Sequence, residues 1–224
     1  MIDLQGLPQI ITAIGGLGTA AFGLVDATKV FGGGVNHIGF GGIKTMVMAL
    51  TPGTPTNALS QEKILATLKA NWFNGTDLGS QKSIAKSLIK LHLDASNAPA
   101  LAAETGVDSA VLTAVAKSVS SGTPLTPAEN DAFARFDLSV TALLDAAYQR
   151  SDQIYRNGTR AWAAVIAILL AIAGGQIVQV SGGVTLGIGG QILVGLLATP
   201  LAPIAKDLST ALATAVNTMQ LIKK

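Results

Sequence analysis

The sequence predicts an all-α integral membrane protein with a helical domain between two apolar regions, and three observations support this prediction. Only 12% of the 224 residues are charged, which is about half the share usual in soluble domains. Two long stretches carry no charge, from Leu4 to Val25 and from Ala161 to Ala205. The residues between them follow helical periodicity and show no strand-like alternation.

The first region, residues 1–30, is expected to contain one transmembrane helix from about Leu7 to Val25. A cleaved signal peptide is the alternative, but the basic residues that open a signal peptide are missing before this stretch. Gly15, Thr19 and Gly23 recur at every fourth position. Small residues at that spacing predict a flat face on which a neighbouring helix can pack closely, although Gly and Ala are also frequent in membrane helices generally.

The second region, residues 31–55, is a glycine-rich juxtamembrane segment and linker. Its Gly42-Ile43-Lys44-Thr45 resembles a phosphate-binding loop only superficially, because an isoleucine separates the glycine from the lysine. A short apolar helix, Ile43 to Leu50, is expected to lie at the membrane surface. The Pro- and Gly-rich run from Thr51 to Pro55 then predicts a linker.

The third region, residues 56–158, is expected to form a helical cytoplasmic domain. Ser60, Asp77 and Thr126 are typical helix N-caps, and Thr126 is followed by Pro127 and by Glu129, as in a capping box. Asn74-Gly75 ends the first of these helices, and two further helices are predicted over residues 107–119 and 126–156.

Along the helix that begins after Asp77, two different faces are predicted. Ile84, Leu88 and Leu91 form the apolar face. The basic face carries Lys82, Lys86 and Lys90 and is interpreted as solvated. Nucleic-acid binding is not expected, because residues 51–160 carry ten basic and ten acidic residues.

The fourth region, residues 159–205, is too long for one membrane-spanning helix and is predicted to form a transmembrane hairpin. Its spans run from about Trp162 to Val180 and from about Val184 to Ile204, with the turn at Ser181-Gly182-Gly183. Small residues recur every fourth position in both spans, interrupted by glutamine. The helix-packing or pore-facing candidates of the hairpin are Gly175, Gln176, Gly187, Gln191 and Gly195.

These glutamines allow two interpretations. They can form hydrogen bonds between helices, or they can line a polar path. The spans contain no ionisable residue at depth, which disfavours a coupled transporter but leaves a passive oligomeric pore open.

Lys and Arg flank the predicted spans on one side only, which predicts an outside N-terminus and a cytoplasmic central domain and C-terminus. Asp26, Lys29, Lys206 and Asp207 are interpreted as interfacial charges. Residues 206–224 are expected to form a cytoplasmic helix.

Catalytic and metal-binding constellations are difficult to assemble from this sequence. The chain has no cysteine and only two histidines, His37 and His92, which lie far apart. His92-Leu93-Asp94 is interpreted as a surface or helix-end pair. No catalytic residue, cofactor or metal site is therefore predicted.

The order of these regions resembles that of uncharacterised bacterial inner-membrane proteins with three transmembrane helices. The resemblance rests on the segment from Tyr155 to Trp162 before the hairpin and on Pro203-Ile204-Ala205-Lys206-Asp207-Leu208 after it. It implies a location in the bacterial inner membrane and supplies no activity.

Taken together, these features predict a non-enzymatic, homo-oligomeric membrane protein. We expect a structural or anchoring component that contacts the lipid bilayer and further copies of itself, with a cytoplasmic protein partner on the helical domain. The alternative is a small oligomeric channel in which Gln176 and Gln191 face a central path. An enzyme ranks third, because it would need ligands brought together by folding.

Overall fold

The fold was analysed in a computed structural model that describes residues 7–54, 59–183 and 186–204. The helices are α1 (Leu7–Ala27), α2 (Phe40–Ala49), α3 (Gln61–Phe73), α4 (Leu78–His92), α5 (Ala98–Thr105), α6 (Ser109–Ser121), α7 (Pro127–Val180) and α8 (Ile188–Ile204). Two short 3-10 turns lie between α1 and α2. No strand occurs in these three ranges, so the all-α prediction is confirmed. The helix predicted over residues 206–224 lies outside them.

The chain forms two compact units. The central unit comprises Asn36–Tyr155, and the terminal unit comprises Met1–Val35 together with Arg156–Lys224. Helix α7 contributes its first half to the central unit and its second half to the terminal unit.

Among the residues that the structure describes, two helices are long and apolar enough to cross a membrane, Ile10–Val30 and Pro127–Val180. Only 22% and 11% of the residues in their most apolar windows are buried, which is unlike the core helix of a soluble protein. The third apolar helix, Ile188–Ile204, is shorter.

The predicted helix starts are confirmed by their capping hydrogen bonds. The side chains of Ser60 and Asp77 accept from the backbone N–H groups of Lys63 (3.4 Å) and Ser80 (2.8 Å). The capping box is reciprocal: Glu129 N–H donates to Thr126 Oγ1 at 3.3 Å, and Thr126 N–H donates to the Glu129 carboxylate at 2.7 Å. These bonds satisfy N–H groups that have no partner inside the helix.

Helix α5 was not predicted, although its ends carry recognisable signals. Proline occupies its first turn, and Gly106 follows it with a left-handed φ of 70°. Left-handed glycine is the usual end of a helix, because it carries no Cβ to clash with the preceding carbonyl. Its eight residues are too few for the apolar periodicity on which the other helices were predicted.

The core of the central unit is built around one face of α7. Phe136, Val140, Leu144 and Tyr148 recur at intervals of four residues and are all buried. Burial raises the pKa of Tyr148 to about 12. The residues that pack with them from the other helices are Ile43, Val47, Ile64, Leu68, Ala85, Ile89, Leu101 and Leu112.

Helix α2 belongs to this core, while its expected position at the membrane surface stays a prediction. Its apolar residues Ile43 and Val47, together with Leu50 directly after it, are completely buried in the central unit. An isolated apolar helix of this length has the same sequence pattern whether it covers a core or rests on a bilayer.

The predicted faces of α4 need correction. Ile84 and Leu88 of the predicted apolar face are partly buried and pack against the core, but the most deeply buried row is Gln81, Ala85 and Ile89, and Leu91 is 64% exposed. The lysines form ion pairs with α7 and are partly buried: Lys82 contacts Asp145 at 2.5 Å, while Lys86 and Lys90 contact Asp137 at 3.2 and 3.0 Å. Their acidic partners are 47 to 63 residues away in sequence and could not be paired with them from periodicity alone.

The predicted end of the second apolar helix is confirmed. Helix α7 stops at Val180, and Gly182 takes a left-handed φ of 79°. The N–H of Gly183 donates to the carbonyl of Val178 at 2.9 Å, which satisfies one of the last carbonyls of the helix.

The Asp137 ion pairs predict a pH dependence. Hydrogen bonds from Lys90 and Lys86 hold the pKa of Asp137 below its ordinary value. A lowered pKa stabilises the fold above the unfolded-state pKa of about 3.9, and this contribution is lost as the pH falls through the folded-state value. Asp137→Asn should lower the thermal midpoint at about pH 7 and reduce its fall between about pH 5 and pH 2, as measured by circular dichroism.

Asp131→Asn is the matched control for this experiment. Asp131 pairs with Arg135 on the same helix at 3.1 Å, but both side chains are about two-thirds exposed or more, and exposed pairs of this kind contribute little. Equal loss of acid sensitivity in both variants would contradict a specific role for Asp137.

Candidate helix-packing site

The predicted packing site is located in the terminal unit, where α1, the second half of α7 and α8 meet at small residues. The centre of the contact is formed by Ala21, Ala167 and Ala198, all completely buried. Ile14, Leu17, Ile166 and Leu170 pack around them. Side chains that end at Cβ leave helix backbones free to approach closely, so that dispersion contacts replace interlocking large side chains.

Gly18 sets the approach of α1 to α8. A Cβ at this position would overlap the backbone carbonyl of Ala198 and lie 3.1 Å from the Cβ of Ala202. Gly15, Ala21 and Val25 lie on the same buried face. The packed row of α1 therefore follows intervals of three and four residues.

Gly195 sets the approach of α8 to α7. A Cβ here would lie 2.5 Å from the Cα of Ile168 and 2.7 Å from its backbone nitrogen. Gly195 itself is buried. Any larger residue would push the two helices apart.

The side chain of Gln191 points into the terminal unit and packs against Gly175. This side chain is 6% exposed, and a Cβ at Gly175 would overlap its amide nitrogen. That nitrogen donates to the carbonyl of Leu186 at 2.9 Å, while Oε1 is buried without a hydrogen-bond partner among the described residues. A cavity of about 210 Å³ adjoins the pair, lined also by Ala171, Gly174, Val178 and Val194.

The other predicted packing residues face outwards. Gly23, Gln176 and Gly187 are exposed, and no atom lies within 4 Å of the position that a Cβ would take at Gly23 or Gly187. Of the predicted seam of Gly15, Thr19 and Gly23, only Gly15 is buried. Residues spaced strictly by four are displaced by about 40° around the helix axis at each step. Successive members therefore move away from the face that contacts a neighbouring helix. Gly18 and Ala198, which sequence reasoning missed, would have been found by alternating steps of three and four.

One of the two predicted interfacial charge pairs lies within the described residues. Asp26 and Lys29 form an ion pair at the end of α1. Lys206 and Asp207 lie outside those residues.

Residues 36–42 of the glycine-rich segment pack within the central unit. Trp72 Nε1 donates to the carbonyl of Asn36 at 2.8 Å, and Asn36 Nδ2 donates to the carbonyl of Phe73 at 2.9 Å. Gly39 has a φ of 91°, and a Cβ there would lie 2.5 Å from the carbonyl oxygen of Ser151. Glycine is thus required at position 39, because the backbones of Gly39 and Ser151 are in close contact.

The two histidines occupy different environments. His37 is exposed and contacts the Phe73 ring edge to face, with a centroid distance of 4.8 Å. His92 ends α4, as predicted, but it is completely buried and not on the surface. Within residues 7–54, 59–183 and 186–204, no group of three histidine or acidic side chains could hold a metal ion.

Comparisons of the chain with protein-family models, with curated proteins and with solved structures find no match. The functional argument therefore rests on the contacts and the surface of the molecule itself.

The close approach at Gly18 predicts different effects for two alanine substitutions in the terminal unit. Gly18→Ala should destabilise the terminal unit by about 1–3 kcal/mol, because the new methyl group must displace the backbone of Ala198. Gly174→Ala, on α7, places its methyl group in open space and should be neutral or stabilising, by up to about 1 kcal/mol, since alanine favours a helix. Unfolding followed by circular dichroism compares them, and equal effects would contradict the assigned α1–α8 contact.

Proposed function

We propose that this chain is a homo-oligomeric integral membrane protein of the bacterial inner membrane. It serves as a structural or anchoring component, and its central unit lies in the cytoplasm and binds a partner protein. The observation that carries this proposal is the apolar surface of the terminal unit.

Large apolar side chains cover the outside of that unit. Those at least 46% exposed include Ile10, Leu24, Trp162, Val165, Leu169, Ile177, Val178, Ile188, Leu193, Leu196 and Ile204. No charged residue interrupts residues 161–204. Exposed apolar surface of this extent is unfavourable in water, whereas it suits the hydrocarbon core of a bilayer, where helices satisfy their own backbone hydrogen bonds.

The lengths of the helices support three crossings. The apolar half of α7 and the 21 residues from Ile10 to Val30 meet the length that a bilayer requires. The 17 described residues of α8 lie at the lower end of that range. Gly195 lies against Ile168 and Gly175 lies against Gln191, so α7 and α8 run antiparallel, which supports a hairpin of two of these crossings.

Self-association is supported by a second small-residue face on α1. Ala13, Gly16, Ala20, Gly23 and Ala27 are all exposed and recur at intervals of three and four residues. At about 100° per residue, this face is opposite to the one that carries Gly18 and Val25. Its spacing permits the close approach of another helix, as in other membrane helix pairs, and a second copy of α1 is the partner we propose.

A partner on the central unit is supported by exposed apolar residues among its polar ones. Leu91 and Leu138 are 64% and 69% exposed, and each directly follows a member of the Lys90–Asp137 ion pair. Val119 on α6 is 57% exposed. Removing exposed apolar side chains from water at an interface is favourable.

The proposed topology can be tested because the chain contains no cysteine. Ser181 in the turn after α7 and Ser121 at the end of α6 are both exposed. In intact cells, a membrane-impermeant maleimide should label Ser181→Cys and should label Ser121→Cys only after lysis. The cysteine-free parent is the control. Labelling of Ser121→Cys in intact cells, or release of the chain from membranes by alkaline carbonate, would contradict the proposal.

Self-association through α1 makes a separate prediction. Gly16→Leu with Gly23→Leu should convert the oligomer into monomers in mild detergent, as observed by native mass spectrometry, because leucine keeps the helices apart. Gly174→Leu is the matched control, since Gly174 is an exposed glycine of α7. A monomeric parent, or an α1 variant that assembles like the parent, would reject this interface.

A further inference from the structure

The cavity beside Gln191 lies within the terminal unit, and its geometry goes beyond the proposed membrane role and does not depend on it. The cavity measures about 210 Å³ and is lined by α7, by Leu186 and by the beginning of α8. Gly174, Val178 and Leu186 are exposed. The cavity therefore opens on the outside of the unit, and a molecule can enter it without unfolding the helices.

The lining of the cavity is apolar apart from one amide group. Among the described residues that line it, Gln191 alone has a polar side chain. Residues 161–204 contain no charged residue, and a charged group without a partner is costly to bury. The cavity therefore suits an uncharged molecule with a mostly apolar body.

Gln191 supplies a hydrogen-bond acceptor that no described residue uses. Its Nε2 donates to the carbonyl of Leu186 at 2.9 Å. Because that carbonyl can only accept, the nitrogen of the amide and not its oxygen must face it. Oε1 is left buried without a hydrogen-bond partner among the described residues. A buried acceptor without a donor is unfavourable, so a donor supplied by a ligand would be favourable.

Close packing of α7 on α8 holds this amide beside the cavity. A Cβ at Gly175 would overlap both Nε2 and Cδ of Gln191. Only glycine at position 175 therefore leaves room for the amide between the two helices. The side chain is 6% exposed as a result.

The size of the cavity indicates a ligand larger than water. A buried water needs about two to four polar partners, whereas the described side chains of the lining offer one amide. In another protein, an apolar cavity of about 150 Å³ stays dry and binds benzene. A cavity of about 210 Å³ can therefore accommodate one ring with a short substituent.

We propose that this cavity binds a small, uncharged, mostly apolar molecule that carries one hydroxyl group, of which a substituted phenol is the model. The hydroxyl donates to Oε1 of Gln191, and the apolar body packs against Val178 and Val194. The ligand thus supplies the donor that the described residues do not. A lipid acyl chain also fits an apolar cavity, but it has no group that can donate to Oε1.

A pair of matched ligands tests the hydrogen bond in the parent protein. The full chain in mild detergent, labelled at its valine methyl groups, is titrated with 4-ethylphenol and with 4-ethylanisole, whose oxygen carries a methyl group and cannot donate. The NMR signals of Val178 and Val194 should shift saturably, and those of Val140 in the central unit should not. The phenol should bind about fivefold more tightly. Absence of saturable shifts, or equal affinity for both ligands, as an acyl chain or detergent in the cavity would produce, would overturn the proposal.

Substitution of Gln191 tests which group receives the hydroxyl. Gln191→Met keeps the length of the side chain but removes the amide, so the fivefold preference for the phenol should disappear. The size of the extra methyl group on the anisole is the same for both proteins and cancels in this comparison. A preference that persists in Gln191→Met would reject the assigned acceptor.

Filling the cavity provides an independent measurement. Ala171→Leu places a larger side chain in the lining and should weaken binding of both ligands by about tenfold or more. Ala173→Leu is the matched control, because Ala173 is an exposed alanine of the same helix that does not line the cavity. Equal affinities in Ala171→Leu and Ala173→Leu would overturn the proposal. If either Gln191→Met or Ala171→Leu does not fold, the ligand pair on the parent decides.

Discussion

Both units of the molecule are built on one helix, and the change of sequence within α7 is the constraint on which the rest depends. Up to Tyr155 the helix presents large side chains such as Phe136 and Tyr148 to a core. Beyond Arg160 it carries no charge and presents Ala163 and Ala167, which are completely buried. The same backbone geometry therefore supports two kinds of packing, and the side chains alone determine which one operates.

The two kinds of packing follow from the surface that each unit exposes. The central unit carries its charges outside, so burial of large apolar side chains stabilises it against water. Between residues 161 and 204 the terminal unit carries no charge, outside or inside. In lipid, moving an apolar side chain from its surface to its interior would therefore gain little free energy. Close contact between backbones remains as the source of specificity, which explains why glycine stands opposite Ala198 and Ile168.

Local signals in the sequence were sufficient for most helix boundaries. Ser60, Asp77 and the Thr126–Glu129 pair act within three residues of themselves, so their hydrogen bonds are independent of the remainder of the fold. The turn after Val180 was likewise predictable from its glycines. These features need no knowledge of distant partners.

Features that depend on distant partners could not be predicted in the same way. The lysines of α4 looked like a solvated row because Asp137 and Asp145 lie far along the chain. His92 looked like a surface residue because Pro52 and Leu59, whose carbonyl oxygens its ring contacts, are some thirty to forty residues away. In α1 both faces carry small residues at helical spacing, so sequence alone did not distinguish the face that packs within the chain from the one that remains exposed.

The direction of Gln191 bears on the choice between an anchor and a channel. Its amide group is used inside the terminal unit, where it lies on Gly175 and donates to Leu186. A central path between copies of the chain would therefore have to be lined by Gln176 and Gln179, which are exposed, among large apolar neighbours such as Ile177 and Val178. Two amides on a largely apolar helix face give an ion few groups to replace its hydration shell. A face of this composition is better suited to contact with lipid or with another helix, which favours the proposed anchoring role over conduction.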